Sequence, residues 1–205
     1  IETSPDQFET PSTVPASRFQ MENRFTHQKE NKGSTNLTIP SVNWKFGVSD
    51  YAEINMTTNF IYNKVQDSTS QGLEPVFIGF KTRLLYNKKW IPDVAVTIQV
   101  QLPKLASKKL QANYPAPRLI LHFKNKINSF INLGYTFGSE WDGETTTPAY
   151  AYTISPKFKL SEKFECFTEA YGYLTKNNSP EHWADGGLMY LVTKDIQLEI
   201  SGSYE

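Results

Sequence analysis

The sequence predicts an all-β protein, an up-and-down antiparallel transmembrane β-barrel of about twelve strands, eleven of which are visible in the chain. Three observations lead to this prediction. Apolar and polar residues alternate with period two, the connections between the alternating segments are short and long in turn, and the apolar faces carry almost no charge.

The alternation runs from residue 16 almost to the end of the chain. In one segment Val96 and Ile98 share a face, while Thr97 and Gln99 lie on the other, as in a β-strand. Similar segments begin at Phe19, Ile54, Val76, Leu119, Ile131, Tyr150, Leu188 and Ile196. Two segments are less regular. Within 36–48, Pro40 predicts a bulge or an edge, and within 164–173 the sequence leaves open which face points outward.

The connections alternate in length. Short ones are predicted near residues 49–50, 87–89, 125–128, 161–163 and 194–195. Long ones are predicted near residues 28–35, 63–73, 103–115, 139–148 and 174–185. This pattern is typical of outer-membrane barrels, which have short periplasmic turns and longer extracellular loops. The strands also have the length, about 9–11 residues, that crosses a bilayer when tilted.

The direction of the apolar face separates a membrane barrel from a soluble all-β binding domain, whose apolar face points into a core. Two observations favour apolar side chains that face lipid. The apolar faces are nearly free of charge, and aromatic residues are concentrated near predicted strand ends, as in interfacial girdles. These aromatic residues are Trp44, Phe46, Tyr51, Tyr86, Trp90, Phe130, Phe158 and Phe164 near short turns, and Tyr62, Phe137 and Tyr150 near long loops.

Composition excludes several classes of function. The 205 residues contain 21 basic and 21 acidic side chains, so no net positive field is available to attract nucleic acid. The single cysteine, Cys166, excludes an internal disulfide framework. His27, His122 and His182 do not accompany a recognisable serine nucleophile, so we expect no enzyme. Glu181, His182 and Asp185 have the ligand types of a metal site, but they fall in a predicted loop, and we expect no metal and no cofactor.

Charged and polar residues on the face opposite the apolar one are the candidates for the lumen. They are Glu22, Arg24, Glu53, Lys81, Arg83, Gln99, Arg118, His122, Glu169 and Glu199. Such residues set the selectivity of an open pore. Alternatively, the acids and bases pair across a narrow lumen and fill it, since small barrels are often filled by their own side chains.

The first fifteen residues differ from the rest of the chain. Three prolines among polar residues predict an extended arm over residues 1–15, followed by the barrel over residues 16–205. Two interpretations of the arm stay open: a periplasmic tail, or a plug whose Asp6 and Glu9 lie against Arg83 or Arg118 inside the barrel.

Several ordered motifs resemble one family. They are Ser4–Pro11, Gly79–Leu84, Trp141–Gly143 and Ala184–Leu188. Together they resemble outer-membrane proteins described as "putative meta-pathway of phenol degradation" or as transporters. The resemblance implies a Gram-negative outer-membrane barrel with a cleaved signal peptide and passage of small, aromatic or hydrophobic molecules. It also implies a closing strand beyond Glu205, since an even-numbered barrel needs one more strand than the sequence shows.

We therefore expect a passive channel or uptake barrel in the bacterial outer membrane, with its N-terminus in the periplasm. The alternative is a plugged barrel that serves as an accessory subunit of a larger outer-membrane complex for assembly, secretion or nutrient uptake. The expected partners are outer-membrane lipid, a small solute and, in the alternative, other outer-membrane proteins.

Overall fold

The structure, a computed structural model, describes residues 8–29, 34–65, 68–86, 91–176 and 179–204. These residues form twelve β-strands and two short 3-10 turns, Pro103–Leu105 and Lys108–Leu110. The strands are β1 (Phe19–Lys29), β2 (Ser34–Ser49), β3 (Ala52–Val65), β4 (Ser68–Leu73), β5 (Val76–Leu85), β6 (Asp93–Leu102), β7 (Ala116–Lys126), β8 (Ile131–Glu140), β9 (Ala149–Lys159), β10 (Phe164–Leu174), β11 (Glu181–Thr193) and β12 (Ile196–Tyr204). In the described ranges no helix has both the length and the apolar character needed to cross a membrane.

The strands form one antiparallel meander in which each strand pairs with the next along the chain, apart from β4. β4 pairs with the end of β3, and β5 pairs with the earlier part of the same strand. Pro75 lies between β4 and β5 and has no N–H group to continue the ladder. β4 and β5 thus share one place next to β3. The twelve strands therefore occupy eleven places in the sheet, which is the number of strands that the sequence predicts. Within the described residues, β1 and β12 are the two unpaired edges of the sheet.

The bulge predicted at Pro40 is confirmed. The register of β2 against β3 shifts between Thr38 and Ser41, and that of β1 against β2 shifts between Arg24 and Thr26. Because a shift of one residue exchanges the two faces of a strand, apolar residues of opposite parity before and after the bulge still lie on the same side of the sheet.

Two predicted long loops are wrong. Residues 63–65 continue β3, residues 68–73 form β4, and residues 181–185 form the start of β11. Both stretches are rich in polar residues on each face, so the alternation that identifies a strand is absent from them. Backbone pairing continues there nevertheless, because the hydrogen bonds of a ladder do not depend on apolar side chains.

The two faces of the sheet have the polarity of a membrane barrel. Ile54 and Ile98 are 51% and 42% exposed, whereas Lys81 and Gln99 are 1% and 6% exposed. The other buried polar side chains within the strands include Lys45, Glu53, Asn55, Thr97, Gln101, His122, Thr136, Thr153, Ser155, Glu169 and Asp185. A soluble β-domain has the opposite arrangement. We call the polar side the inner face and the space that it encloses the lumen.

The inner face of β10, which the sequence leaves open, is now defined. Phe167 and Glu169 are 2% and 3% exposed, so the odd-numbered residues of this strand point inward and Phe164 and Leu174 point outward. Exposed aromatic rings lie near both ends of the strands, as the girdle prediction requires. They include Phe46, Tyr51, Tyr86, Phe130 and Phe164 near short turns, and Phe137 and Tyr150 near long loops. Trp90 lies outside the described residues.

Replacing Ile98 with lysine tests the direction of the outer face. Ile98 lies near the middle of β6, so Ile98→Lys places a charge in hydrocarbon and lowers the free energy of unfolding by about 2–4 kcal/mol. The measurement is urea unfolding of the protein in lipid vesicles. Ile91→Lys is the matched control, because Ile91 is 48% exposed just before β6 and a charge near the interface costs about 0–1 kcal/mol. Equal losses for the two variants contradict the assignment.

Candidate functional site in the lumen

The N-terminal arm enters the lumen. Phe8, Thr10, Pro11 and Val14 are all buried. The backbone N–H of Phe8 donates to Oε1 of Glu169 at 3.2 Å, and that of Val14 donates to Oε2 of Glu53 at 2.6 Å. Buried N–H groups need partners, and these two carboxylates of the wall supply them.

Glu9 is the centre of the ionic contacts between arm and wall. Its Oε1 lies 2.9 Å from Nζ of Lys45 and 3.1 Å from Nζ of Lys81. The side chains of the two lysines are only 5% and 1% exposed. Lys45 also contacts Oε1 of Glu22 at 2.9 Å. Buried ammonium groups persist only when they are paired, and here one carboxylate oxygen serves two of them.

Two glycines allow the arm to approach the wall closely. A Cβ atom at Gly134 would lie 2.3 Å from Cζ of Phe8, and one at Gly47 would lie 2.1 Å from the carbonyl oxygen of Pro15. Any larger residue at these positions would collide with the arm. Gly47 also accepts a hydrogen bond from the N–H of Ser17 at 2.8 Å, which fixes the arm beside the short-turn end of β2.

The contacts of the arm reach widely separated strands. Phe8 is bonded to β10, while the adjacent Glu9 contacts β2 and β5. The carbonyl oxygen of Glu9 also lies 3.0 Å from Nδ1 of His122 on β7, whose Nε2 lies 2.8 Å from Oγ1 of Thr97. Because two consecutive residues contact these strands, the sheet must curl around the arm.

Among the predicted lumen residues, Glu53, Lys81, Gln99, His122 and Glu169 are buried on the inner face. Glu22 is half-buried and accepts hydrogen bonds from Gln20, Asn43 and Lys45. Gln99 donates to Oδ1 of Asn55 at 2.9 Å. Arg24 and Glu199 are exposed on the edge strands β1 and β12.

The partners predicted for Glu9 are wrong. Arg83 donates to the carbonyl oxygen of Asp50 and lies over the rings of Tyr51 and Tyr86, at the short-turn end. Arg118 lies in the half of the lumen near the long loops. There its Nε lies 3.1 Å from Oε1 of Glu140, and its Nη2 lies 3.2 Å from Oε2 of the same residue. Glu9 binds the two lysines instead. Asp6 lies outside the described residues.

Sequence reasoning missed Lys45 and Glu140. Lys45 has the parity opposite to Trp44 and Phe46, which is the signal that could have placed it on the inner face. The irregular parity around Pro40 obscured that signal. Glu140 falls in a stretch predicted as a long loop, but it is the last residue of β8 and pairs in register with Arg118.

The long-loop half of the lumen contains aromatic rings. Tyr171 and Trp183 stack with their centroids 5.6 Å apart, and Tyr173 meets Trp183 edge-on at 6.0 Å. The guanidinium of Arg118 lies 4.3 Å from the centroid of the Phe77 ring. All of these side chains are half-buried. We call Phe77, Arg118, Glu140, Tyr171, Tyr173 and Trp183 the aromatic chamber.

A cavity of about 260 Å³ lies at the long-loop end of the chamber. Its lining residues are Glu140, Asp142, Thr145, Thr147, Ala149, Thr175 and Lys176. Oδ1 of Asp142 accepts the backbone N–H groups of Glu144 and Thr145, each at 2.8 Å. These two hydrogen bonds, that from Thr145 first, lower the pKa of Asp142 below its usual value and keep the carboxylate ionised.

The three residues with metal-ligand side chains in β11 do not converge. His182 is exposed on the outer face, where its Nδ1 lies 2.8 Å from the hydroxyl of Tyr152, whereas Asp185 is buried on the inner face. The prediction that these residues lie in a loop is wrong, because they belong to β11. Across the described ranges, no three His, Cys, Asp or Glu residues are grouped so that they could hold a metal ion.

Comparison with known proteins agrees with the architecture. Residues 3–205 match the profile of the family described as "Putative MetA-pathway of phenol degradation". The chain belongs to this family. A structural relative of this family member is the COG4313 outer membrane channel from Pseudomonas putida F1, with a TM-score of 0.68 and 8% sequence identity. The match covers 98% of this chain and 91% of the channel, and at that identity it shows the fold alone. A search of curated proteins finds no match.

The contacts of Glu9 can be tested by hydrogen exchange. Glu9→Gln removes the charge that faces two buried lysines, while Glu22 and Glu53 still compensate part of it, so we expect a loss of about 1.4 kcal/mol or more in arm docking. That loss corresponds to about tenfold faster amide exchange, read by mass spectrometry on peptides covering residues 8–14.

Glu162→Gln is the control for this experiment. Glu162 also contacts a lysine, Lys159 at 3.1 Å, but its side chain is 92% exposed, and exposed pairs contribute little. We expect unchanged exchange in the arm of this variant. Unchanged exchange in Glu9→Gln as well is the result that contradicts the assigned role of Glu9.

Proposed function

We propose that this family member is a passive, non-enzymatic channel or uptake barrel for small molecules in the bacterial outer membrane, and that its N-terminal arm acts as a plug. The observation that carries the proposal is the polarity of the sheet, with aliphatic residues outward and buried ionic groups inward. The shared fold with an outer membrane channel supports it. The exposed apolar band matches hydrocarbon, and the inner face is polar enough to line a path for solutes.

The proposed orientation places the short turns and the N-terminus in the periplasm. Outer-membrane barrels have their short turns on that side. The arm lies beside the same end of the sheet, since the hydroxyl of Thr13 donates to the carbonyl oxygen of Asp50 in the turn between β2 and β3 at 3.0 Å. A plug that enters from the periplasm would be withdrawn or rearranged from the periplasmic side.

The charges of the wall are balanced even without the arm, which supports an arm that can leave the lumen. Without Glu9, the two lysines Lys45 and Lys81 face Glu22 and Glu53, and Lys81 lies directly opposite Glu53 in the register of β5 and β3. Two positive and two negative charges then remain, so removal of the arm exposes no unbalanced cluster. Because these four charges nearly cancel, they would give an open pore only a weak preference between cations and anions.

The class of solute is proposed from the aromatic chamber and the family description. The four aromatic rings of the chamber are unusual for a path that carries only water and ions, because lumen walls of such pores are polar. They favour small aromatic or hydrophobic molecules, in agreement with the phenol-degradation pathway in the family description.

Planar-bilayer recording of the purified protein tests this function. We expect small discrete conductance steps, and a conductance several-fold larger after deletion of residues 1–15, because the arm contacts β2, β5, β7 and β10 across the lumen. Glu162→Gln serves as the control with unchanged conductance.

One outcome would overturn the channel in favour of the alternative. A folded barrel that stays silent even without its arm contradicts passive conduction. The plugged accessory subunit then becomes the better account, and stoichiometric partner proteins should copurify with the barrel in mild detergent.

A further inference from the structure

We infer that Lys45, Lys81 and His122 form a binding site for small monocarboxylates, and that Glu9 occupies this site in the structure as a tethered ligand. The inference rests on the plug and channel function proposed above, and it names a chemical group that a solute would present. It depends on three features: donors that converge on one residue, wall acids that leave these donors to the arm, and access from the lumen. We call the three donor residues the carboxylate site.

The donors of the carboxylate site come from three strands and meet at Glu9. Lys45 on β2 and Lys81 on β5 lie on either side of β3, yet their Nζ atoms lie 2.9 Å and 3.1 Å from the same oxygen, Oε1 of Glu9. Nδ1 of His122 on β7 lies 3.0 Å from the carbonyl oxygen of Glu9. A carbonyl oxygen can only accept, so Nδ1 carries the hydrogen. When the arm leaves, this buried N–H loses its acceptor, and an incoming anion can supply another.

The acids of the wall do not take the place of Glu9. The register places Lys81 opposite Glu53, but over the described stretches of the chain no ion pair joins these two side chains. Oε2 of Glu53 accepts a backbone N–H of the arm instead. Lys45 does contact Glu22 at 2.9 Å, and the same ammonium group still lies 2.9 Å from Glu9. Each lysine therefore directs its ammonium group to the arm even though an acid of the wall is near.

The charge balance of the carboxylate site favours a monoanion. The two lysines offset Glu22 and Glu53, and Glu9 adds one negative charge. A monocarboxylate reproduces this charge when it replaces Glu9. A dicarboxylate or a phosphate would add a second negative charge beside the two acids of the wall, and burying an uncompensated charge is costly. A neutral amide would form weaker hydrogen bonds, because it lacks the charge that the ammonium groups attract.

A solute can reach the site from the side of the arm. The side chain of Glu9 is 25% exposed, whereas those of Lys45 and Lys81 are 5% and 1% exposed. Because Glu9 is tethered, a free carboxylate competes with an effective concentration on the order of millimolar. A solute that displaces Glu9 removes the ionic contacts of the arm and so favours the open lumen.

Titration calorimetry of acetate with the full-chain Glu9→Ala variant in detergent tests the site. Acetate has the atoms that this substitution removes, one carbon and a carboxylate group, so it fits the vacated space. We expect acetate to bind at least about tenfold more tightly than acetamide. Adding Lys81→Gln should weaken acetate binding by about tenfold or more, because it removes one partner of a buried charge pair. Lys126→Gln is the matched control, because Lys126 is exposed at the end of β7, and it should leave acetate binding within about twofold.

Hydrogen exchange of the wild-type protein is a second measurement that needs no variant. Acetate at about 100 mM, well above the effective concentration of Glu9, should speed amide exchange in residues 8–14 by about threefold or more relative to chloride at equal ionic strength, since mass action favours the undocked arm. In Glu9→Ala the same acetate should slow this exchange, because it fills the vacated space. Ionic strength alone would move both proteins in the same direction.

Two results overturn the inference. One is that Glu9→Ala binds acetate no more tightly than acetamide, and the other is that acetate and chloride act alike on the wild-type arm. Conductance judges the channel separately. A silent barrel that binds acetate removes only the channel, and a conducting barrel whose Glu9→Ala variant binds no acetate removes only the carboxylate site.

Discussion

The structure depends on one constraint: each strand must present apolar side chains to its surroundings and satisfy its polar side chains inside the sheet. Lipid offers no hydrogen bonds, so every inward polar group needs a partner in the wall, in the lumen or in water. Thr97 and His122 bond to each other on neighbouring strands, and Gln99 bonds to Asn55. The inner face is therefore a network of polar groups and not a layer of independent side chains.

The arm follows from the same constraint. An extended segment inside a barrel has backbone N–H groups without a ladder, and the wall has buried ammonium groups without water. Each supplies what the other needs: Glu169 and Glu53 accept the N–H groups of the arm, and Glu9 faces the two buried lysines. This reciprocity stabilises the docked arm through specific contacts, while the wall keeps enough acids of its own to remain neutral without it. A segment held in this way is suited to a plug that can be displaced.

The sequence predicts the barrel well because period two is visible wherever one face meets lipid, as in β6, where Val96 and Ile98 alternate with Thr97 and Gln99. It fails where the physical signal is absent. β4 is polar on both faces, so its pairing with β3 leaves no pattern, and the parity change at Pro40 conceals Lys45. On β10, Phe167 shares its face with Glu169 because the lumen itself contains apolar rings.

No local sequence pattern predicts the partners of Glu9, since they depend on how the whole sheet curls around the arm. The aromatic chamber is likewise assembled from β5, β7, β8, β10 and β11.

The most direct test of the account is a nitroxide scan along β6 in lipid vesicles. Single cysteines would be placed in turn at residues 96–100 in a Cys166→Ser background, which removes the free native thiol. The account predicts high accessibility to oxygen, which dissolves in hydrocarbon, for labels at Val96, Ile98 and Val100, and low oxygen accessibility at Thr97 and Gln99. The opposite phase, with labels at the even positions shielded and those at the odd positions open to bulk solvent, would contradict the membrane barrel itself.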